Sequence, residues 1–172
     1  MHAAAFPLTF LTAWHMLMTR ARLQRGEDVL VLARGQRRRP GGDPDCRAAW
    51  RPGVRHRRVG RESSSAARAL GADEVIHHYK QDIAEEIKRL TNRRGVDVVI
   101  EHVGEATWPQ SVRSLARGGR LVTCGATTGR RGAFDLAALF AKQLSIHGSY
   151  MGTKGELLRV ARHFFAGEAE AR

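Results

Sequence analysis

Short apolar runs alternate with amphipathic segments along most of the chain, and this alternation constrains the fold more than any other feature. Five runs rich in valine, isoleucine and leucine predict strands. They cover residues 28–33, 74–77, 97–101, 120–124 and 144–150. Short strands that are apolar on both faces are typical of parallel sheets. With helices as right-handed crossovers between them, the sequence predicts an α/β fold built on a doubly wound parallel sheet.

The segments between the predicted strands carry helix signals. Asp82 and Glu85 form a capping-box pattern ahead of apolar residues at helical spacing, and Thr153 and Glu156 give a second one. The glycine pair 118–119 is expected to end the helix before it. The predicted helices cover residues 7–20, 63–70, 82–91, 108–115, 135–140 and 153–165.

The region of residues 34–61 breaks this pattern. It holds ten arginines and two aspartates, and therefore carries +8 of the formal charge of +12 on the 172 residues. It has neither strand nor helix periodicity and is interrupted by proline and glycine, which predicts an irregular segment without a second strand. An alternative interpretation is a basic module in which these arginines and Trp50 bind the phosphates and bases of RNA or DNA. No known nucleic-acid motif accompanies them, so we expect no specific nucleic-acid partner.

Composition excludes several classes of protein. Two cysteines, Cys46 and Cys124, are too few for a disulfide scaffold or a four-cysteine zinc module. Cys124 ends a predicted buried strand and is expected to be an inert core residue. No apolar run is long enough to cross a membrane, and we expect a cytoplasmic protein without a membrane partner. The histidines show no paired-ligand spacing, so no metal site is predicted.

Six motifs occur in an order and spacing that resemble the medium-chain dehydrogenase/reductase superfamily, which includes zinc-type alcohol dehydrogenases and quinone oxidoreductases. They are PLTFLTAWHML (7–17), GEDVLVLA (26–33), RALGADEVI (68–76), GVDVVIEHVG (95–104), GGRLVTCGATTG (118–129) and LSIHGSYMGT (144–153). The resemblance covers the cofactor-binding half of such an enzyme. It implies a partial, Rossmann-like dinucleotide-binding domain over residues 1–172, and the family's catalytic domain is expected to precede residue 1.

The resemblance also implies a cofactor and a reaction. The intact enzyme would use NAD or NADP to move a hydride to or from an alcohol, carbonyl or quinone substrate. The residues carried over as cofactor-binding are Thr12, Gly104, Gly125, Ala126, Thr127, Ser149 and Met151. No catalytic residue and no zinc ligand is carried over, and a homodimer through the sheet edge near residues 144–150 is implied by analogy alone. For Thr12, a hydrogen bond to its own helix backbone is the alternative.

One family motif is missing. The family follows its first strand with a glycine-rich turn, a helix and a second strand, whereas residues 35–40 read GQRRRP. Read one base later, the codons of residues 35–39 permit Gly-Ser-Gly-Val-Gly, and the codon of Trp50 becomes glycine. We hypothesise that residues 34–64 are translated out of frame and are irregular; a stop codon in the shifted reading would contradict this.

The loss of this motif has consequences for binding and stability. The backbone donors that hold a pyrophosphate would be absent. Without a second strand, the neighbouring strands would also keep unpaired backbone groups, at roughly 1–3 kcal/mol each. We therefore expect a marginally stable chain that binds NAD(P) poorly and is inactive by itself.

Overall fold

A parallel sheet forms the centre of the molecule in the computed structural model, which describes residues 2–32, 55–59, 73–76 and 80–165. Its strands are β1 (Asp28–Leu32), β2 (Arg55–Val59), β3 (Glu74–Ile76), β4 (Val96–Glu101), β5 (Leu115–Thr123) and β6 (Ser145–Gly148). They lie in the order β3-β2-β1-β4-β5-β6, and every pair is parallel. The strand order reverses between β1 and β4. The predicted doubly wound α/β sheet is confirmed.

The helices agree with the predicted ones in order, but the first begins at His2 instead of residue 7. They are α1 (His2–Trp14), continued by a π-helix (His15–Arg20), then α2 (Ile83–Leu90), α3 (Trp108–Arg113), α4 (Leu136–Ala141) and α5 (Lys154–Phe165). The Asp82 carboxylate accepts the backbone N–H of Glu85 at 3.0 Å, as its capping pattern predicts. None of the helices among the described residues is long and apolar enough to cross a membrane. The predicted helix 63–70 lies outside the described residues.

The prediction that the sheet has no second strand is wrong. β2 pairs with β1 over five residues, from Asp28 beside Arg55 to Leu32 beside Val59, and with β3 on its other side. Strand pairing uses backbone groups, so an open edge on β1 can recruit a segment whose side chains lack strand periodicity. The expected loss of a central strand, and of its hydrogen bonds, therefore does not occur. The rest of the segment 34–64 lies outside the described residues.

A second difference concerns the start of β5. The sequence predicts a helix to Leu115, ended by the glycine pair, and a strand from Arg120. In the structure α3 ends at Arg113 and the strand already begins at Leu115. The register between β4 and β5 shifts here, because Val96 pairs with Leu115 whereas Val98 pairs with Arg120. Gly118 takes a φ of +73° inside the strand, which is the usual role of glycine at such an irregularity.

Both faces of the sheet are covered by apolar side chains. Leu30, Val99 and Leu121 pack on one face against α2, whereas Val29 and Val98 belong to the cluster on the other face, which includes the π-helix. Alternate residues of one strand thus enter different clusters, as the twofold strand repeat requires. A third, smaller cluster joins α1 to α5 through Phe10 and Val160. The helix before β1 and the helix after β6 are therefore packed together.

Candidate functional site

A cleft of about 660 Å³ lies at the carboxyl ends of β4, β5 and β6. Because these strands are parallel, the loops that follow them gather at one edge of the sheet. The lining residues used below are Gly104 and Trp108 after β4, Cys124, Gly125 and Ala126 after β5, and Ser149 after β6. Four of the seven predicted cofactor residues thus share one cavity, namely Gly104, Gly125, Ala126 and Ser149.

The loop after β4 is fixed by a fully buried carboxylate. Glu101 accepts the backbone N–H of Val103 at 2.7 Å and that of Gly104 at 3.1 Å. Its other oxygen accepts the hydroxyl of Ser111 at 2.6 Å, and Thr107 donates to both oxygens. Hydrogen bonds to a charged group are the strong ones, so Glu101 holds this wall of the cleft rigid. The sequence gives Glu101 only as the end of a strand; a glutamate inside an otherwise apolar run is the signal that could identify it.

Two glycines allow the loops after β4 and β5 to meet. Gly104 has a φ of +96°, and a Cβ there would lie 2.7 Å from the Gly129 carbonyl oxygen. At Gly125 a Cβ would lie 2.8 Å from the His102 carbonyl oxygen. Both distances are shorter than real Cβ contacts, and only glycine adopts the first conformation without strain. The two predicted positions therefore shape the cleft wall through their missing side chains.

Ser149 contributes a buried polar group to the lining of the cleft. Its hydroxyl is buried, and within the described part of the chain it has no hydrogen-bond partner. Trp108 also lines the cleft, and its indole N–H is likewise buried without a hydrogen-bond partner among the described residues. The Trp108 ring lies against Gly132, where a Cβ would come within 2.8 Å of the indole nitrogen, so the indole packs into the cleft wall. Sequence reasoning identifies Ser149 but misses Trp108, because a tryptophan at a helix start is more typical of packing.

The other three predicted residues lie outside the cavity lining. Thr127 donates its hydroxyl to the His102 carbonyl at 3.1 Å and so links the loops after β5 and β4. Met151 is half-exposed with a φ of +56°, in the turn after Ser149. Thr12 donates to the Leu8 carbonyl at 2.7 Å, four residues earlier in its own helix. This is the bond expected under the alternative interpretation of Thr12.

The prediction that Cys124 is a core residue is wrong. Its side chain is exposed, and it lines the cleft immediately after β5. Partial desolvation, with a smaller effect of the Glu101 charge, raises the pKa of the Cys124 thiol. The thiol is therefore the dominant form at neutral pH, and a thiol is a weak nucleophile. The sequence misplaces the residue because β5 ends one position earlier than its apolar pattern suggests.

Among the described residues, no group of three histidine, cysteine or acidic side chains is arranged to hold a metal ion. His147, on β6, lies near arginines rather than acids. Burial lowers the pKa of His147, and the charges of Arg20, Arg120 and Arg22 lower it further. A neutral imidazole is expected there at neutral pH.

Comparison with known proteins gives consistent results. Residues 58–166 match the model of a family described as zinc-binding dehydrogenase. Quinone oxidoreductase 1 of Escherichia coli is 27% identical over 174 residues, which cover 95% of this chain and 51% of that protein. Quinone oxidoreductase-like protein 2 of Mus musculus is 30% identical over 150 residues, which cover 87% of this chain and 43% of that protein. The chain spans about half the length of the curated relatives it matches.

A solved structure shares the fold. The crystal structure of an NAD-dependent alcohol dehydrogenase is 35% identical with a TM-score of 0.84, and the match covers 97% of this chain and 48% of that one. This chain therefore shares its fold with about half of a solved dehydrogenase structure.

Proposed function

Because this chain belongs to the zinc-binding dehydrogenase family, we propose that it is the NAD(P)-binding part of an oxidoreductase. The observation that carries the proposal is the cleft at the carboxyl ends of β4, β5 and β6, which four of the predicted cofactor residues, Gly104, Gly125, Ala126 and Ser149, line. Ligands of open α/β sheets bind at this edge, beside the point where the strand order reverses. Relatives with quinone oxidoreductase and alcohol dehydrogenase names support the same assignment.

The residues present fit the nicotinamide end of such a cofactor. Ser149 brings a hydroxyl to the cleft lining, a group that can both donate to and accept from a carboxamide. Gly104, Gly125 and Ala126 form a wall without bulky side chains, held in place by Glu101. Thr127 and Met151 would border this end of the site, and Thr12 would approach it from α1. When bound, the cofactor supplies the hydride chemistry, whereas the chain positions the ring and excludes water from it.

The substrate of the intact enzyme would be an alcohol, a carbonyl compound or a quinone. The chain itself would contribute neither a catalytic acid nor a zinc ligand. A homodimer through β6 fits the position of this strand at one end of the described sheet. We place the protein in the cytoplasm, where Cys124 stays a free thiol.

Residues 35–40, which read GQRRRP, lack the glycine-rich turn that holds a pyrophosphate. Weak binding is therefore expected from the chain as it stands.

Titration of the chain with NADH and NADPH tests the proposal, with Ser149→Ala as the site variant. Ser145→Ala, at an exposed position of β6, is the matched control. We expect saturable binding that resists added salt, weakened about tenfold in Ser149→Ala, the loss of roughly one hydrogen bond, and unchanged in Ser145→Ala. Titration with RNA at two salt concentrations tests the alternative function, a basic module that binds nucleic acid. Binding of RNA alone, fading steeply with salt, would favour the basic-module alternative.

A further inference from the structure

The Glu156 carboxylate lies between two parts of the chain that are far apart in sequence. Its oxygen Oε2 accepts the backbone N–H of Thr153 at 2.7 Å and the Thr153 hydroxyl at 3.0 Å. The Thr153 hydroxyl in turn accepts the N–H of Glu156 at 3.2 Å, which completes the capping box of α5. Of the two carboxylate oxygens, only Oε2 takes part in this capping box.

The second oxygen serves a different element. Oε1 of Glu156 accepts from Nδ1 of His15 at 2.9 Å and from the Thr19 hydroxyl, both on the π-helix. A helix cap has no need of these two bonds. The carboxylate is buried, yet it stays ionised, because four hydrogen bonds outweigh the effect of burial and hold the pKa of Glu156 at about 2.

Further contacts join the helix before β1 to the segment between β6 and α5. Arg20, the last residue of the π-helix, donates Nε to the Gly148 carbonyl at 2.8 Å. Leu11 lies against Gly152 so closely that a Cβ at Gly152 would come within 2.5 Å of its side chain. The helix before β1 thus contacts Gly148 just before the turn 149–153, Gly152 within it and Glu156 just after it. A π-helix placed against such a contact is typical of functional positions.

The turn held in this way carries the two site residues that follow β6. Ser149 donates its backbone N–H to the Thr123 carbonyl at 2.8 Å, so the turn is also tied to β5. Met151 takes a φ of +56°, which side chains rarely adopt. Such a conformation persists only where surrounding contacts enforce it, and the bonds of Glu156 to Thr153 begin two residues later.

We propose that Glu156 is a positioning residue that couples the π-helix to the turn 149–153 and so sets the place of Ser149 in the cleft. The effect on cofactor binding rests on the function proposed above, whereas the coupling itself does not. A change in the helix before β1 would be transmitted to the cleft through this carboxylate. The predicted role of Glu156 as a cap accounts for only one of its two oxygens.

Two variants separate coupling from capping. Glu156→Gln weakens both sets of bonds, whereas the double variant His15→Ala/Thr19→Val removes only the π-helix partners and leaves the capping box intact. Glu85→Gln is the matched control, because Glu85 is exposed on α2 and pairs with Lys88. Amide hydrogen exchange of the ligand-free chain at residues 149–153 is the first measurement. The dissociation constant for NADH is the second.

We expect exchange at Ser149 and Thr153 to accelerate about tenfold in both variants while β4 keeps its protection. NADH binding should weaken about tenfold in both variants, and Glu85→Gln should change neither quantity. Unaltered exchange in the double variant would overturn the proposal, since capping alone would then explain Glu156. If Glu156→Gln does not fold, the double variant decides. If the variants exchange faster but the wild-type chain binds no NADH, the coupling is supported and the proposed function is contradicted.

Discussion

The two ends of the sheet differ in how their strands are specified. At the β4–β6 end, β4 reads VDVVIE and β5 ends in the apolar run RLVT. The helix between β5 and β6 begins at Asp135, whose side chain accepts the backbone N–H of Ala137. At the β2–β3 end the sequence of β2 is RHRRV, and β3 has only three residues. Yet β2 pairs in parallel with strands on both sides. A strand position can therefore be set by the open edges of its neighbours, without an apolar pattern of its own.

Core truncation at the two ends should give the largest difference. Leu121→Ala in β5 removes a fully buried side chain from the main cluster, and we expect it to cost about 3–4 kcal/mol of unfolding free energy. Ile76→Ala in β3 removes an equally buried side chain from a three-residue strand, and we expect about 1–2 kcal/mol, because a short end strand can relax. Urea denaturation measures both. Equal losses would show that the two ends are equally well packed.

Restoring the glycine-rich turn after β1 should increase the affinity of the chain for NADH. The variant Gln36→Ser/Arg37→Gly/Arg38→Val/Arg39→Gly gives the sequence GSGVG after β1, which provides backbone donors for a pyrophosphate. We expect NADH to bind at least about 30-fold more tightly, equivalent to roughly 2 kcal/mol. Replacing residues 36–39 by alanine removes the same charges without the glycines and serves as the control. A gain of the same size in the alanine variant would mean that charge, rather than turn geometry, limits binding.

The variant Glu101→Gln tests whether the buried carboxylate holds the loop after β4 in place. The amide oxygen can still accept the backbone N–H groups of Val103 and Gly104, but these bonds lose the charge of the carboxylate. The hydroxyls of Thr107 and Ser111 must change from donors to acceptors to face the amide nitrogen. We expect a loss of about 1–3 kcal/mol of stability and a weaker interaction with NADH. The melting temperature and the NADH titration report these two effects. A variant as stable as the wild type would show that the loop after β4 is held by packing instead.

The pH dependence of stability should reveal Glu156. Its pKa is about 2 in the folded chain and 4.5 as an ordinary glutamate. The stabilisation is therefore complete above about pH 4.5 and is lost as the pH falls towards 2. We expect this group to contribute about 1–2 kcal/mol of the acid loss, which Glu156→Gln should remove. Denaturation midpoints between pH 2 and 6 test this, and identical acid profiles for the two proteins would contradict it.

Most of the fold follows from the sequence because short runs rich in valine, isoleucine and leucine alternate with helix signals. The pairing of Leu30, Val99 and Leu121 in neighbouring parallel strands needs only that pattern and the crossover rule. The second strand could not be predicted, since its position depends on partners that are distant in sequence. The start of β5 was also missed, because Leu115 and Ala116 fit a helical spacing equally well.

The site was partly predictable for a related reason. Gly104, Gly125, Ala126 and Ser149 follow strand ends, and parallel strands bring their ends together. The hydrogen bonds that fix the loops could not be foreseen. Glu101 reaches Ser111 across the β4–α3 loop, and Glu156 reaches His15 from the opposite end of the chain. Such contacts become visible only once the fold has placed the elements.

Nuclear magnetic resonance of the ¹⁵N-labelled chain, titrated with NADH at low and high salt, tests the central claim most directly. We expect saturable amide shifts at Gly104, Gly125 and Ser149 that persist at high salt, because these residues border the cleft at the carboxyl ends of β4–β6. Shifts confined to the arginine-rich residues 34–61, and abolished by salt, would contradict it.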